Sequence, residues 1–349
     1  MANIWYNTTK QMASGGFTMK KKFLAVVCLS FIPLFFFTIA RTVSSQEKEY
    51  FIGAPSIKGG AAAGKSISHW QNLFDKLKVR LEKELNVHLG LKIVPNTRVL
   101  FNELKKGNIH LAIFDPLGYI IAKKEGIPVK PYIALTPKGM TGGGICIYVH
   151  KDSGIKSVKE LKGKKLGIWR APSIPVKGAN WLTKGSDPSG LEDWLFLRLA
   201  LSKAGINQSI DSFFNPVTVV PSQESGLYVL LNKKFDAVVA KKYTWVSMEF
   251  ENKQMNNLKT VVCDGGAGQP FVVHPSVDAN SLKKFKALFM NPALIPDIEK
   301  ELKSQGLLKI FTFKDDTDAN YNIYRQWLKQ AESKGWLEEF RAFAQKSGK

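Results

Sequence analysis

From Tyr50 onward, short apolar runs alternate with stretches whose apolar residues recur at helical spacing. Tyr50–Ala54 is a brief apolar run followed by a Gly-rich loop. Trp70, Leu73, Phe74, Leu77 and Leu81 then fall on one helical face, with Ser66 or Ser68 available as the cap. Leu89–Val94 reads as a strand, and Thr97–Lys106 as a short helix that Gly107 stops. Leu111–Phe114 is a buried-strand run, followed by the turn Asp115-Pro116-Leu117-Gly118. A helix near Tyr119–Lys124 and a strand near Pro131–Leu135 come next. This repetition of strand and helix predicts parallel strands covered by helices.

A run of glycines at 142–144 breaks the pattern, and a second set of elements begins. Ile145–Val149, Leu166–Trp169, Val217–Val220, Phe235–Ala240, Leu258–Val262 and Phe271–His274 read as strands. Ser157 caps a short predicted helix, Leu191–Ala204 is a strongly apolar one, and another starts at Ser222. Residues 170–190 are a long irregular stretch, which inside a domain is usually functional or disordered. From Asn280 to the end the pattern is mostly helical, with no repeat of solenoid length.

The chain has 349 residues, 44% of them hydrophobic, which fits about two globular domains and excludes a disordered or collagen-like chain. Lys and Arg number 50 against 29 Asp and Glu, a formal charge of +21. Such an excess suits nucleic acid, an anionic surface or an acidic ligand. The N-terminal segment decides among these. Lys20, Lys21 and Lys22 precede an uncharged apolar run from Phe23 to Ala40, with small residues at Ser44 and Ser45. That is the layout of a secretory signal starting at Met19, and Pro33 together with the small residues favours cleavage over an uncleaved membrane anchor. Cys28 does not make a lipoprotein signal, because Val27 precedes it and apolar residues continue past it. The expected location is the periplasm. Loss of residues 1–46 removes Lys10, Lys20, Lys21, Lys22 and Arg41 and lowers the charge from +21 to +16. Export and the lack of any zinc-finger or RNA-binding signature argue against nucleic acid.

Five segments in order resemble one family. They are LFNELKKGNIHLAIFDPLGYIIA, KDSGIKSVKELKGKKLGI, the helix Leu195–Ile206, SQESGLYVLLNKKFDAVVA and DDTDANYNIYRQWLK. Together they resemble the type II periplasmic solute-binding proteins of ABC importers, in the branch that binds phosphonate, phosphite and sulfonate. The resemblance implies a two-lobed α/β fold, with two mixed sheets flanked by helices and joined by two crossover strands. Residues 1–46 would be extension and signal, 47–140 the first part of lobe 1, 141–264 lobe 2, and 265–349 the return to lobe 1 with the C-terminal helices. It implies a monomer without cofactor or catalysis, which passes a small anionic solute to an ABC permease in the inner membrane. A sensory module serving a receptor kinase is the alternative use of such a fold.

The resemblance also places candidate ligand contacts. Ser56 follows the first strand, and Phe114, Asp115 and Tyr119 match a strand end and turn that face the ligand. The family's Ser-Thr-Ser-Gly signature is represented here only by Ser189 and Gly190, and Asp187, Glu192 and Asp193 crowd that helix start with charge that competes with an anion. A second alignment brings Ser173 to the ligand, with Arg170 able to make a bidentate contact. Ser222 and Gln223 stand where the family often has His, and Lys241 and Tyr243 where aminophosphonate binders place a carboxylate. Lysine there argues against an amine-bearing ligand.

Two features point elsewhere. Gly59–Ser66 fits the phosphate-loop pattern G-x-x-x-x-G-K-[ST], so a P-loop NTPase is a competing class. The predicted strand ends near Ala54, too early for such a loop, and ATP is scarce outside the cytoplasm; a Gly/Ala loop at the cleft edge is the preferred reading. Cys146 and Cys263 are the Cys left after signal cleavage, both near predicted crossover strands. A disulfide is permitted there, and a thiol facing a soft anion is the other reading. No His/Cys cluster has metal-ligand spacing.

Overall fold

A computed structural model describes residues 48–55, 67–139, 144–169, 188, 190–304 and 307–346. Their secondary structure is organised around two sheets.

The first sheet opens with β1 (Glu49–Pro55), β2 (His88–Val94) and β3 (Leu111–Ile113), all parallel, with β1 in the middle. The helices α1 (Ile67–Leu85) and α2 (Thr97–Lys105) connect them. Asn96 caps α2 by accepting from the Val99 N–H at 2.9 Å, and Leu100, Phe101 and Leu104 form its buried face. Gly53 lets α2 lie against β1. A Cβ there would come within 2.6 Å of Leu100 Cδ1 and 2.7 Å of Ile109. On α1, Phe74 and Leu77 are half-buried and Leu81 is buried, as the helical spacing predicts; Ser68 lies inside the helix and so does not cap it.

After α3 (Pro116–Lys124) comes β4 (Lys130–Pro137), and the chain then leaves for the second sheet. That sheet contains β5 (Ile145–His150), β6 (Leu166–Trp169), β7 (Val217–Val220), β8 (Ala237–Lys241) and β9 (Leu258–Asp264) in the order β7-β6-β8-β5-β9. Strands β6, β7 and β8 are parallel, and β5 is antiparallel to both β8 and β9. Its helices are α4 (Leu191–Lys203), α5 (Ile210–Phe213), α6 (Gln223–Leu231) and α7 (Lys242–Glu251). Cys146 and Cys263 face each other across β5 and β9 and are joined as a disulfide, which resolves the two readings of these cysteines.

The chain returns through residues 265–268 to β10 (Gln269–Val273), which inserts antiparallel between β3 and β4. Then follow α8 (Ala279–Met290), α9 (Pro296–Ser304), α10 (Leu307–Ile310), β11 (Phe311–Asp315), α11 (Asn322–Ser333) and α12 (Trp336–Lys346). Strand β11 pairs antiparallel with β4 and completes the order β11-β4-β10-β3-β1-β2. Both sheets are therefore mixed. Local β-α alternation predicts the parallel pairs, but not β5, β10 and β11, whose partners are distant in sequence.

The long stretch 170–187 and Ser189 lie outside the described residues, as do Ser56, the Gly59–Ser66 segment and the N-terminal signal. Among the described residues no helix is long and apolar enough to cross a membrane.

Candidate ligand site where the two sheets meet

In open α/β sheets, ligands bind beyond the carboxyl ends of parallel strands, where helix starts present free N–H groups. Here the carboxyl end of β3 leads into α3, and that of β8 leads into α7. Asp115 is the cap of α3: its backbone is extended, and its Oδ1 accepts from the Gly118 N–H at 2.5 Å. Pro116 follows at the first helical position, where a missing N–H does no harm. The next donor, Leu117 N–H, points at the other sheet's helix and donates to Glu192 Oε2 at 2.9 Å. A carboxyl oxygen from α4 thus sits as acceptor on the positive end of α3, where the helix dipole favours one.

Helix α4 explains why that carboxylate is available. Every residue from Leu191 to Leu201 is buried, including Glu192 (3% exposed) and Asp193 (0%). Acids inside such a helix need partners. Lys241, buried at the end of β8, brings its Nζ to 3.5 Å from Glu192 Oε1. Gln223 supplies the rest: its Nε2 donates to Asp193 Oδ2 at 2.5 Å. Its Oε1 accepts from Lys241 N at 3.0 Å and from Thr244 Oγ1 at 2.8 Å. Gln223 sits at the start of α6, positioned by the Ser222–Ser225 capping box. From the first sheet's side, Gln269 Nε2 donates to the Tyr243 hydroxyl at 3.2 Å.

Among the described residues, Asp115, Glu192 and Asp193 converge on one nearby ammonium, that of Lys241. Burial pushes the Glu192 carboxyl up to about 8 and that of Asp193 up to about 7, and the attraction of Lys241 offsets this only in part. Lys241 itself is held well above the ordinary lysine value by Glu192, against the cost of its burial. Burial also pushes Tyr243 up to about 12 and Tyr324, on α11, well above the ordinary tyrosine value.

Of the sequence candidates, the structure brings Asp115, Gln223, Lys241 and Tyr243 together, with Ser222 beside them as a helix cap. Gly190 is the cap of α4, with φ 85°. Phe114 and Tyr119 lie in the core rather than open to solvent. Phe114 packs edge-on against Phe101, and the Tyr119 hydroxyl donates to Asp318. Ser56, Arg170, Ser173 and Ser189 lie outside the described residues. Glu192 and Asp193, read from sequence as competitors of an anion, turn out to be the centre of the network. The available signal was α4 itself: a helix apolar on all sides is buried, and so are its acids. Thr244, Gln269 and Tyr324 carried no comparable signal. Among the described residues no group of three or more His, Cys, Asp and Glu side chains is placed to hold a metal.

Comparison with known proteins places this geometry. Similar folds include a binding-protein component of an ABC phosphonate transporter from Pseudomonas aeruginosa, at TM-score 0.59 and 14% identity, covering 86% of this chain and 97% of that one. PhnD1 from Prochlorococcus marinus, in complex with methylphosphonate, matches at TM-score 0.58 and 14% identity, over 82% and 98% of the two chains. XAC2383 from Xanthomonas citri, bound to ATP, matches at 0.55 and 16% identity, over 82% and 98%. At these identities the likeness establishes the fold, that of type II periplasmic binding proteins. Residues 61–321 match the family described as ABC transporter, phosphonate, periplasmic substrate-binding protein, and on that match the chain belongs to this family.

Proposed function

We propose that the chain captures a small phosphonate-like oxyanion between its two sheets and hands it to the permease. Membership in the family makes it a periplasmic substrate-binding component, not an enzyme, that serves a small solute and a membrane permease. In this reading residues 47–140 and 265–349 form one lobe and 141–264 the other. They hinge on the two connections between the sheets, and the chain acts as a monomer after its signal is cleaved.

The observation that carries the anion reading is the contact of Glu192 Oε2 with Leu117 N–H. The start of α3 already holds an acceptor oxygen, supplied by the chain itself. A solute oxyanion takes that place in the loaded protein and turns Lys241 toward itself. Gln223 stands beside it, bonded to Asp193 and to the backbone of Lys241. Ser56 and Arg170, next in the chain after β1 and β6, complete the contact set.

Thermal-shift screening of the purified chain against methylphosphonate, phosphite, phosphate and alkylsulfonates tests this. A specific ligand present at a hundred times its Kd adds about 2.7 kcal/mol to stability. A shift produced by an uncharged or cationic solute, with none from any oxyanion, would contradict the reading.

A further inference from the structure

Asp193 is only half satisfied. Its Oδ2 accepts from Gln223, while its Oδ1 is buried and has no hydrogen-bond partner among the described residues. Among the described residues, the nearby donors are engaged elsewhere: Lys241 Nζ on Glu192, and Lys241 N and Thr244 Oγ1 on the Gln223 amide that also binds Asp193. The groups that face this carboxyl are Glu192 on its own helix, Asp115 ahead of α3, Lys241 of β8, Tyr243 of α7 and, through Glu192, Tyr324 of α11. Only Lys241 among them brings positive charge. An unpartnered carboxylate oxygen in such a place accepts a hydrogen bond and offers none. A fully ionised oxyanion would meet it as acceptor against acceptor. A singly ionised one brings the missing donor.

We infer that Asp193 Oδ1 is the site's acceptor for a proton carried by the solute, so that the loaded site holds one proton between this carboxylate and the oxyanion. The P–OH of a singly ionised phosphonate donates and Asp193 accepts; no bond other than the hydrogen bond forms. The inference rests on the oxyanion reading above. It adds the protonation state that the site selects and the residue that selects it. Because the second ionisation of a phosphonic acid and that of buried Asp193 both fall near neutrality, both groups are bare above pH 8. Binding must then take up a proton.

The test is isothermal titration of the full chain with methylphosphonate between pH 6 and pH 9.5, each point in two buffers of different ionisation enthalpy. For the wild type, Kd should rise by about tenfold per pH unit above pH 8, with about one proton taken up per solute bound. In Asp193→Asn, whose amide can donate as well as accept, that rise should disappear. A flat Kd with no proton uptake in the wild type overturns the inference, and this arm needs no variant to fold. A rise that survives unchanged in Asp193→Asn overturns it too. Tight, pH-independent methylphosphonate binding would leave the oxyanion reading standing while this one fails; no methylphosphonate binding at any pH overturns this inference, and the oxyanion reading falls with it if phosphite, phosphate and alkylsulfonates also fail to bind.

Discussion

Lys241 is the residue on which the site's electrostatics turn. It sits among Asp115, Glu192 and Asp193, and removing one partner of a buried ion pair leaves the others without compensation. Lys241→Met should therefore destabilise the chain by about 3 kcal/mol, measured by urea denaturation at pH 9, where Glu192 and Asp193 are ionised. The pH dependence has a definite sign. Glu192 and Asp193 keep their protons in the folded chain up to about 8 and 7, whereas in the unfolded chain they lose them near the ordinary values of 4.5 and 3.8. Their contribution to stability is full below the unfolded values. It declines as pH rises and is lost once pH passes the folded values. The double variant Glu192→Gln, Asp193→Asn should flatten the fall in denaturation midpoint between pH 5 and pH 8. An unchanged slope would mean that other groups set it. At this scale the sequence was legible in part. It pointed to Asp115, Gln223 and Lys241 through the family resemblance, and the structure brings the three together at strand ends and helix starts. It could not show that Gln223 would tie Asp193 to β8, because that contact depends on how α4 and α6 pack.

The elements tell a similar story. Helices and parallel strands were legible from local periodicity. Strand β11 was not, since Phe311–Asp315 sits in a helical neighbourhood and becomes a strand only by pairing with β4. Helix α7 begins directly after β8 with weak amphipathicity and gave little periodic signal. Two connections carry the chain between the sheets. The Cys146–Cys263 disulfide ties β5 to β9 next to these connections and links residues 117 apart in sequence. Converting both to Ser should cost roughly 5 kcal/mol by the loop-entropy argument, read from denaturant midpoints of oxidised wild type and variant. Gly265, at φ +81°, begins the return connection; a Cβ there would meet the Tyr324 hydroxyl at 2.7 Å. Gly265→Ala should therefore combine backbone strain with overpacking, destabilising by about 1–3 kcal/mol and lowering the melting temperature. A melting temperature equal to that of the wild type would show that the connection tolerates rearrangement.

For the whole molecule, the opposing sides are held by more than the site. Helices α11 and α12 follow the first sheet in sequence yet pack on α4. Trp194 meets Phe340, Phe196 meets Trp327, and Arg198 Nε donates to Glu339 Oε2 at 3.0 Å. The family was legible because five segments keep their order along the chain. The overall charge of +21 was the weaker guide, since the centre of the site is rich in carboxylates rather than lysines. That contrast defines the central claim: Glu192 occupies the place of the solute oxyanion and is displaced by it. The most direct measurement is the Kd of methylphosphonate for wild type and Glu192→Ala by isothermal titration at pH 7. Removing the internal acceptor frees both Leu117 N–H and Lys241 for the ligand, so the variant should bind about tenfold tighter, a gain of about 1.4 kcal/mol. Equal or weaker binding by Glu192→Ala would contradict the account.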